Sequence, residues 1–115
     1  MLCKTSELTG TALAWAVGVA EGYELSLYGV DPSIRAKVPG LGVQAPWKPQ
    51  KYWDQGGPII EWEKIELEHD GFAWWARITA DEDYTGPTAL VAAMRCYVAS
   101  KLGEEVEVPD ELITQ

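Results

Sequence analysis

Residues 86–103 read GPTALVAAMRCYVASKLG, and their pattern decides the fold. Gly86-Pro87-Thr88 introduces a helix, because proline is tolerated in a first turn whose N–H groups have no intrahelical partner. Gly103 stands where a helix is commonly capped. Between these marks Leu90, Val91, Met94, Val98 and Leu102 recur at helical spacing and make one broad apolar face. Ala92, Ala93, Cys96, Ala99 and Ser100 make an opposing face of small residues, which lets another backbone come close. A helix with two such faces is covered on two sides. The expectation is a central helix packed against a sheet and against either a second helix or a second copy of the chain, which makes a homo-oligomer compatible with the pattern.

Upstream, Ile59–Leu67 has strand character, but Ile60 and Trp62 share one parity while Ile65 and Leu67 share the other. A strand needs a bulge near Glu63–Lys64 to reconcile them. Glu68-His69-Asp70-Gly71 reads as a hairpin loop, and Phe72–Thr79 as the return strand. That strand would set Phe72, Trp74, Ala76 and Ile78 against Trp75 and Arg77. Asp81-Glu82-Asp83 is a solvated turn, and Glu104–Val108 reads as a last short strand ended by Pro109. At the other end, Leu13, Ala16, Val17 and Ala20 predict a helix over Leu8–Glu21, started by Thr5 or Thr9 and capped by Gly22. Tyr23–Tyr28 alternates as a short strand. The sum is a single α+β domain over residues 1–115, with a small antiparallel sheet of three to five strands packed with two helices.

One segment escapes this pattern. Residues 29–58 hold five of the seven prolines and five of the eleven glycines. An irregular stretch of that length in a small domain points to function, so it is expected to face a ligand or partner.

Composition narrows the classes. Nine basic against 18 acidic residues leave a net charge of −9. Gripping a nucleic-acid duplex requires a basic surface that displaces counterions, and this chain has the opposite. Anionic membranes are disfavoured on the same ground. The apolar stretch 11–20 is too short to span a bilayer, and Ser6 and Glu7 stand where a signal peptide carries basic residues. A cytoplasmic protein is expected. Six tryptophans against one phenylalanine are unusual. Large rings fill small cores, but they also stack on flat ligands, and a split of roughly four core to two functional rings is the working expectation. Two cysteines and one histidine are too few for a structural zinc site. A reduced Cys3 and Cys96 are favoured over a disulfide between them.

Two segments go beyond general pattern. Residues 56–60, GGPII, followed by Glu61, and residues 86–112, GPTALVAAMRCYVASKLGEEVEVPDEL, resemble the NinX-like family of small tailed-phage proteins. Residues 6–22, SELTGTALAWAVGVAEG, resemble the same family's opening helix. Together they cover about half of the chain. The resemblance implies a phage or prophage gene expressed in the cytoplasm of an infected or lysogenic bacterium. It implies origin more than activity. The sequence departs from the family before Gly56, where APWKPQKYWD replaces a stretch with a Pro-Ser pair.

Candidate chemistry gathers in the middle segment. Tyr52 and Trp53 offer rings for stacking, Gln55 an amide for polar edges, and Gly56 and Gly57 a backbone that can approach a phosphate or carboxylate. Trp47 and Lys48 lie beside them, and Lys48 and Lys51 suit an anionic ligand. The plainer alternative is a glycine turn feeding a strand at Ile59, with Trp53 as a lid on the core. Arg95 borders the apolar face of the last helix, and is expected either to pair with Glu61 or Glu63 or to meet an anionic ligand. Cys96 reads as a small core residue and His69 as a turn residue. No catalytic constellation, phosphate loop, dinucleotide motif or metal motif is present, and no cofactor is called for. The leading expectation is a non-enzymatic binder of a small nucleotide-like ligand, which in a phage would sequester a host immune signal. The alternative is an acidic inhibitor that engages a basic host protein, imitating DNA. A small enzyme is the third reading, without a substrate to name.

Overall fold

The computed structural model describes residues 1–29, 33–39, 44–79 and 82–113. Its elements run β1 (Leu2–Lys4), α1 (Gly10–Glu21), β2 (Glu24–Tyr28), β3 (Ser33–Lys37), β4 (Gln44–Pro46), α2 (Trp53–Glu63), β5 (Glu66–His69), β6 (Trp74–Arg77), β7 (Tyr84–Gly86), α3 (Ala89–Leu102) and β8 (Glu105–Glu107). All strand pairing is antiparallel, in three sheets ordered β1–β8, β2–β3–β4 and β5–β6–β7. The class is α+β, as the pattern implied. The described residues hold three α-helices rather than two, and three small sheets rather than one.

The helix that decides the fold is where its pattern put it. Thr88 caps α3, its Oγ1 accepting the Val91 N–H at 3.1 Å. Leu90, Ala92, Ala93, Met94, Cys96, Tyr97 and Val98 are all buried, because α1, α2 and the β6–β7 strands pack around α3. Burying a side chain of Leu or Met size contributes roughly 1.5–3 kcal/mol, so this helix is the core's main contributor. Its small-residue face receives β7: a Cβ on Gly86 would lie 2.7 Å from the Ala92 nitrogen. Ala92, Ala93 and Cys96 of that face are buried, while Ala99 is half-buried and Ser100 exposed.

The N-terminal helix ends as expected. Gly22 adopts a left-handed φ of 78°, its N–H bonding Val19 O while Tyr23 N–H bonds Gly18 O, both at 3.0 Å. Neither threonine caps its start with a side-chain bond. Thr9 occupies the cap position without one, and Thr5, fully buried, donates Oγ1–H to Gly103 O at 2.7 Å, tying the N-terminus to the end of α3.

The middle segment departs most from expectation. Ile59 and its neighbours are not a strand: residues 53–63 form α2 despite Gly56, Gly57 and Pro58. The expected bulge at Glu63–Lys64 is the helix end, with Lys64 left-handed at φ 54°. Lys64 N–H bonds Glu61 O and Ile65 N–H bonds Ile60 O, the paired bonds that close a helix. Before α2, β3 and β4 extend the β2 sheet through residues the periodicity left irregular.

The β5–β6 hairpin forms, but its four-residue loop lies two residues further on than expected, at residues 70–73, so Phe72 belongs to the loop, 95% exposed, and not to the return strand with Trp74. Asp70 organises the loop. Its Oδ1 accepts Phe72 N–H at 2.8 Å and Ala73 N–H at 2.9 Å, and Oδ2 accepts the Trp75 indole N–H at 2.6 Å. Those bonds, led by Ala73, hold its pKa down to about 2 from 3.8. A carboxyl depressed in the folded state adds stability that is present above its unfolded value and is lost as pH falls through the folded one. Asp70→Asn is therefore expected to melt below the parent near neutral pH, with the gap closing as pH falls from about 4 to about 2; thermal melts across that range check it. Glu82 and Asp83 of the acidic turn are exposed, Asp83 pairing with Arg77 at 2.8 Å, and Asp81 lies outside the described residues.

Candidate functional site

The site begins with Trp47. Its backbone N–H bonds Ile34 O at 2.9 Å, carrying the β3–β4 ladder one residue further, and its indole N–H bonds Ala14 O of α1 at 3.0 Å. The ring meets Tyr23 edge-on, with centroids 5.3 Å apart and planes at 75°. Gln55 holds α2 over this point: its Oε1 accepts Lys48 N–H and its Nε2 donates to Pro46 O, each at 2.7 Å. Gly56 lets the helix close on the preceding loop, since a Cβ there would lie 2.3 Å from Pro49 O.

Between α2 and the β2–β4 sheet this leaves a cavity of about 330 Å³. Tyr23, Trp47, Pro58, Ile59 and Trp62 supply its apolar and aromatic lining, and Glu21, Asp54 and Gln55 its polar side chains. Glu21 is held from two sides, Oε1 accepting the Tyr23 hydroxyl at 3.3 Å and Oε2 the Tyr97 hydroxyl. Burial first and the Glu21 carboxylate second push both phenols' pKa values up, so they stay protonated as donors.

The expected site residues separate into three groups. Trp47 and Gln55 line the cavity, Trp47 only 3% exposed and with both N–H groups already bonded. Gly56 and Gly57 lie inside α2; the Gly56 N–H is committed to Tyr52 O at 2.9 Å, and the nearest atom to a Cβ on Gly57 is in the Trp53 ring at 3.8 Å. Lys48, Tyr52 and Trp53 stand at the start of α2, Tyr52 and Trp53 exposed and the Lys48 ammonium 5.9 Å from the Tyr52 ring centroid. Arg95 is elsewhere. Its Nε donates to Leu8 O and its NH1 to Thr85 O, both at 2.7 Å, joining the segment before α1 to β7. The expected pair with Glu61 or Glu63 does not form: Glu63 pairs with Lys101 at 3.5 Å, and the guanidinium donates to two backbone carbonyls instead.

Sequence reading missed Glu21, Tyr23, Asp54, Pro58 and Trp62. Gln55, Ile59 and Trp62 are spaced four and three apart, which is one helix face, but the strand reading of Ile59–Leu67 hid the pattern. Trp53 and Trp62 are 56% and 67% exposed, while the other four tryptophans are buried or half-buried. Both cysteines are free, and burial pushes the Cys96 thiol up to about 11, away from nucleophile chemistry. Among the described residues no His, Cys, Asp and Glu cluster could hold a metal ion, and no helix is long and apolar enough to cross a membrane.

Fold and cavity together define a small α+β protein whose middle segment roofs an aromatic-walled pocket with a helix. The family model described as Bacteriophage P22, NinX matches residues 4–101, and the chain belongs to that family. No curated protein matches the chain.

Proposed function

We propose that this NinX-family phage protein is a non-enzymatic binder of a small, planar, nucleotide-like molecule, and that in an infected bacterium it sequesters a host signalling molecule. The carrying observation is the cavity under α2. At about 330 Å³ it lies at the small end of ligand pockets, and its lining combines ring surfaces with a few fixed polar groups. Trp62 presents an exposed indole at this lining, where a base could stack. Among the described lining residues no nucleophile stands beside a base, which fits binding better than turnover. Phage membership supplies the link to a host signal.

Titration with cyclic and linear nucleotides, followed by tryptophan fluorescence, tests the reading. The parent is expected to show saturable quenching, and Trp62→Ala to bind at least about tenfold more weakly with its melting temperature nearly unchanged. Equal affinity in the two proteins removes the cavity from the account.

A second reading has its own observation. Glu82, Asp83, Glu104 and Glu105 surround a shallow groove beside Lys4 on a chain of net charge −9. That surface favours a basic host protein, with binding that falls steeply with salt and ignores nucleotides.

A further inference from the structure

The charges around the cavity limit which part of a ligand it can take. Glu21 and Asp54 are the acidic side chains among its described lining residues, which include neither lysine nor arginine. A carboxylate only accepts hydrogen bonds, and its two oxygens offer about four lone-pair sites. Glu21 uses one on the Tyr23 hydroxyl and one on the Tyr97 hydroxyl, which fix its orientation and leave acceptor capacity free. A phosphate brought here would meet like charge and further acceptors. Lys48, the nearby cation that suits an anion, is not among the lining residues and lies against Tyr52. The groups that do suit two carboxylates are N–H donors on a flat ring, and each such bond is charge-assisted, roughly twice as strong as a neutral one.

Resting on the ligand-binding reading above, we propose that the cavity reads the base of its ligand and not the phosphate. It takes the amino-bearing edge of an aminoheterocycle, which donates to Glu21 and Asp54 with its ring against Trp62, while any phosphate stays in solvent beyond the rim. Guanine suits this arrangement best of the common bases, because its ring N–H and amino group are adjacent donors that match the two oxygens of one carboxylate. Uracil has one ring N–H between two carbonyl acceptors, which face the carboxylates unfavourably.

Equilibrium titration with guanosine, guanosine 5′-monophosphate, uridine and ribose 5-phosphate decides the matter. Guanosine is expected to bind within about tenfold of its monophosphate, uridine at least about tenfold more weakly, and ribose 5-phosphate not at all. Glu21→Gln and Asp54→Asn should each weaken guanosine by about tenfold, since an amide replaces a charged acceptor. Asp54 is exposed, so its variant keeps the test valid if Glu21→Gln fails to fold. A monophosphate that binds while guanosine does not, uridine binding as tightly as guanosine, or competition by ribose 5-phosphate would overturn base reading and leave the ligand-binding proposal standing. Unchanged guanosine affinity in the folded variants would also overturn it. If nucleosides and nucleotides alike fail to bind, both proposals fall.

Discussion

Trp47→Ala is expected to lose about 3–5 kcal/mol of stability, the range for truncating a buried aromatic side chain. The indole is 3% exposed and links three elements: it hangs from the end of β4, bonds Ala14 O in α1, and meets Tyr23 edge-on after α1 ends. Truncation removes its packing and leaves the Ala14 carbonyl without that donor. The adjoining cavity of about 330 Å³ gives water a route to the carbonyl, which offsets some of the polar cost but none of the packing cost. Denaturant unfolding measures the effect. A loss under about 1 kcal/mol would mean that the indole does not join α1 to the β2–β4 sheet.

Gly56→Ala is expected to lose about 1–3 kcal/mol or more, as overpacking does, although alanine is ordinarily the better helix former by about 1 kcal/mol. The added methyl would lie 2.3 Å from Pro49 O and 2.7 Å from Leu90 Cδ2. The first of these is backbone and cannot swing aside, so α2 must lift from α3 or the Lys48–Lys51 turn must move. Gly57→Ala is the control with the opposite sign. Its methyl would meet only the Trp53 ring at 3.8 Å, so the gain in helix propensity of up to about 1 kcal/mol should survive. Two neighbouring glycines with opposite responses are what a helix packed on one side requires. Equal responses would contradict the placement of α2.

That pair of glycines also marks where sequence reading stopped. Helices α1 and α3 and the β5–β6 hairpin were legible because each announces itself locally. Apolar residues at helical spacing, Gly22 and Gly103 after the last turns, and the Asp70-Gly71 turn need no distant partner. Residues 53–63 carry the opposite local signals. Gly56 and Gly57 weaken a helix, Pro58 removes a bond inside it, and the apolar pair Ile59–Ile60 fits either structure. The helix forms because of tertiary partners: Gln55 clamps Pro46 and Lys48, Gly56 seats on Pro49 and Leu90, and Ile59 is buried. No periodicity reports those contacts.

The site was legible in region but not in detail, for the same reason. The Trp-rich middle segment does build the cavity, but reading Ile59–Leu67 as a strand put Trp62 among alternating residues and left Asp54 and Pro58 in a loop. Glu21 and Tyr23 belong to α1 and its exit, more than 20 residues upstream, and nothing local joins them to Trp47. Arg95 looked like half of an ion pair because acidic residues outnumber basic ones two to one. Its partners are the carbonyls of Leu8 and Thr85, which every residue carries and no composition reveals.

The proposed function rests on a nucleotide-like ligand held under α2. Native mass spectra of protein purified gently from bacterial cells, recorded before and after adding cyclic and linear nucleotides, test it most directly. The account predicts added mass in the nucleotide range on the parent, stoichiometric and missing from Trp62→Ala. A bare parent protein that ignores every nucleotide would contradict it and turn attention to the acidic groove around Glu82 and Glu104.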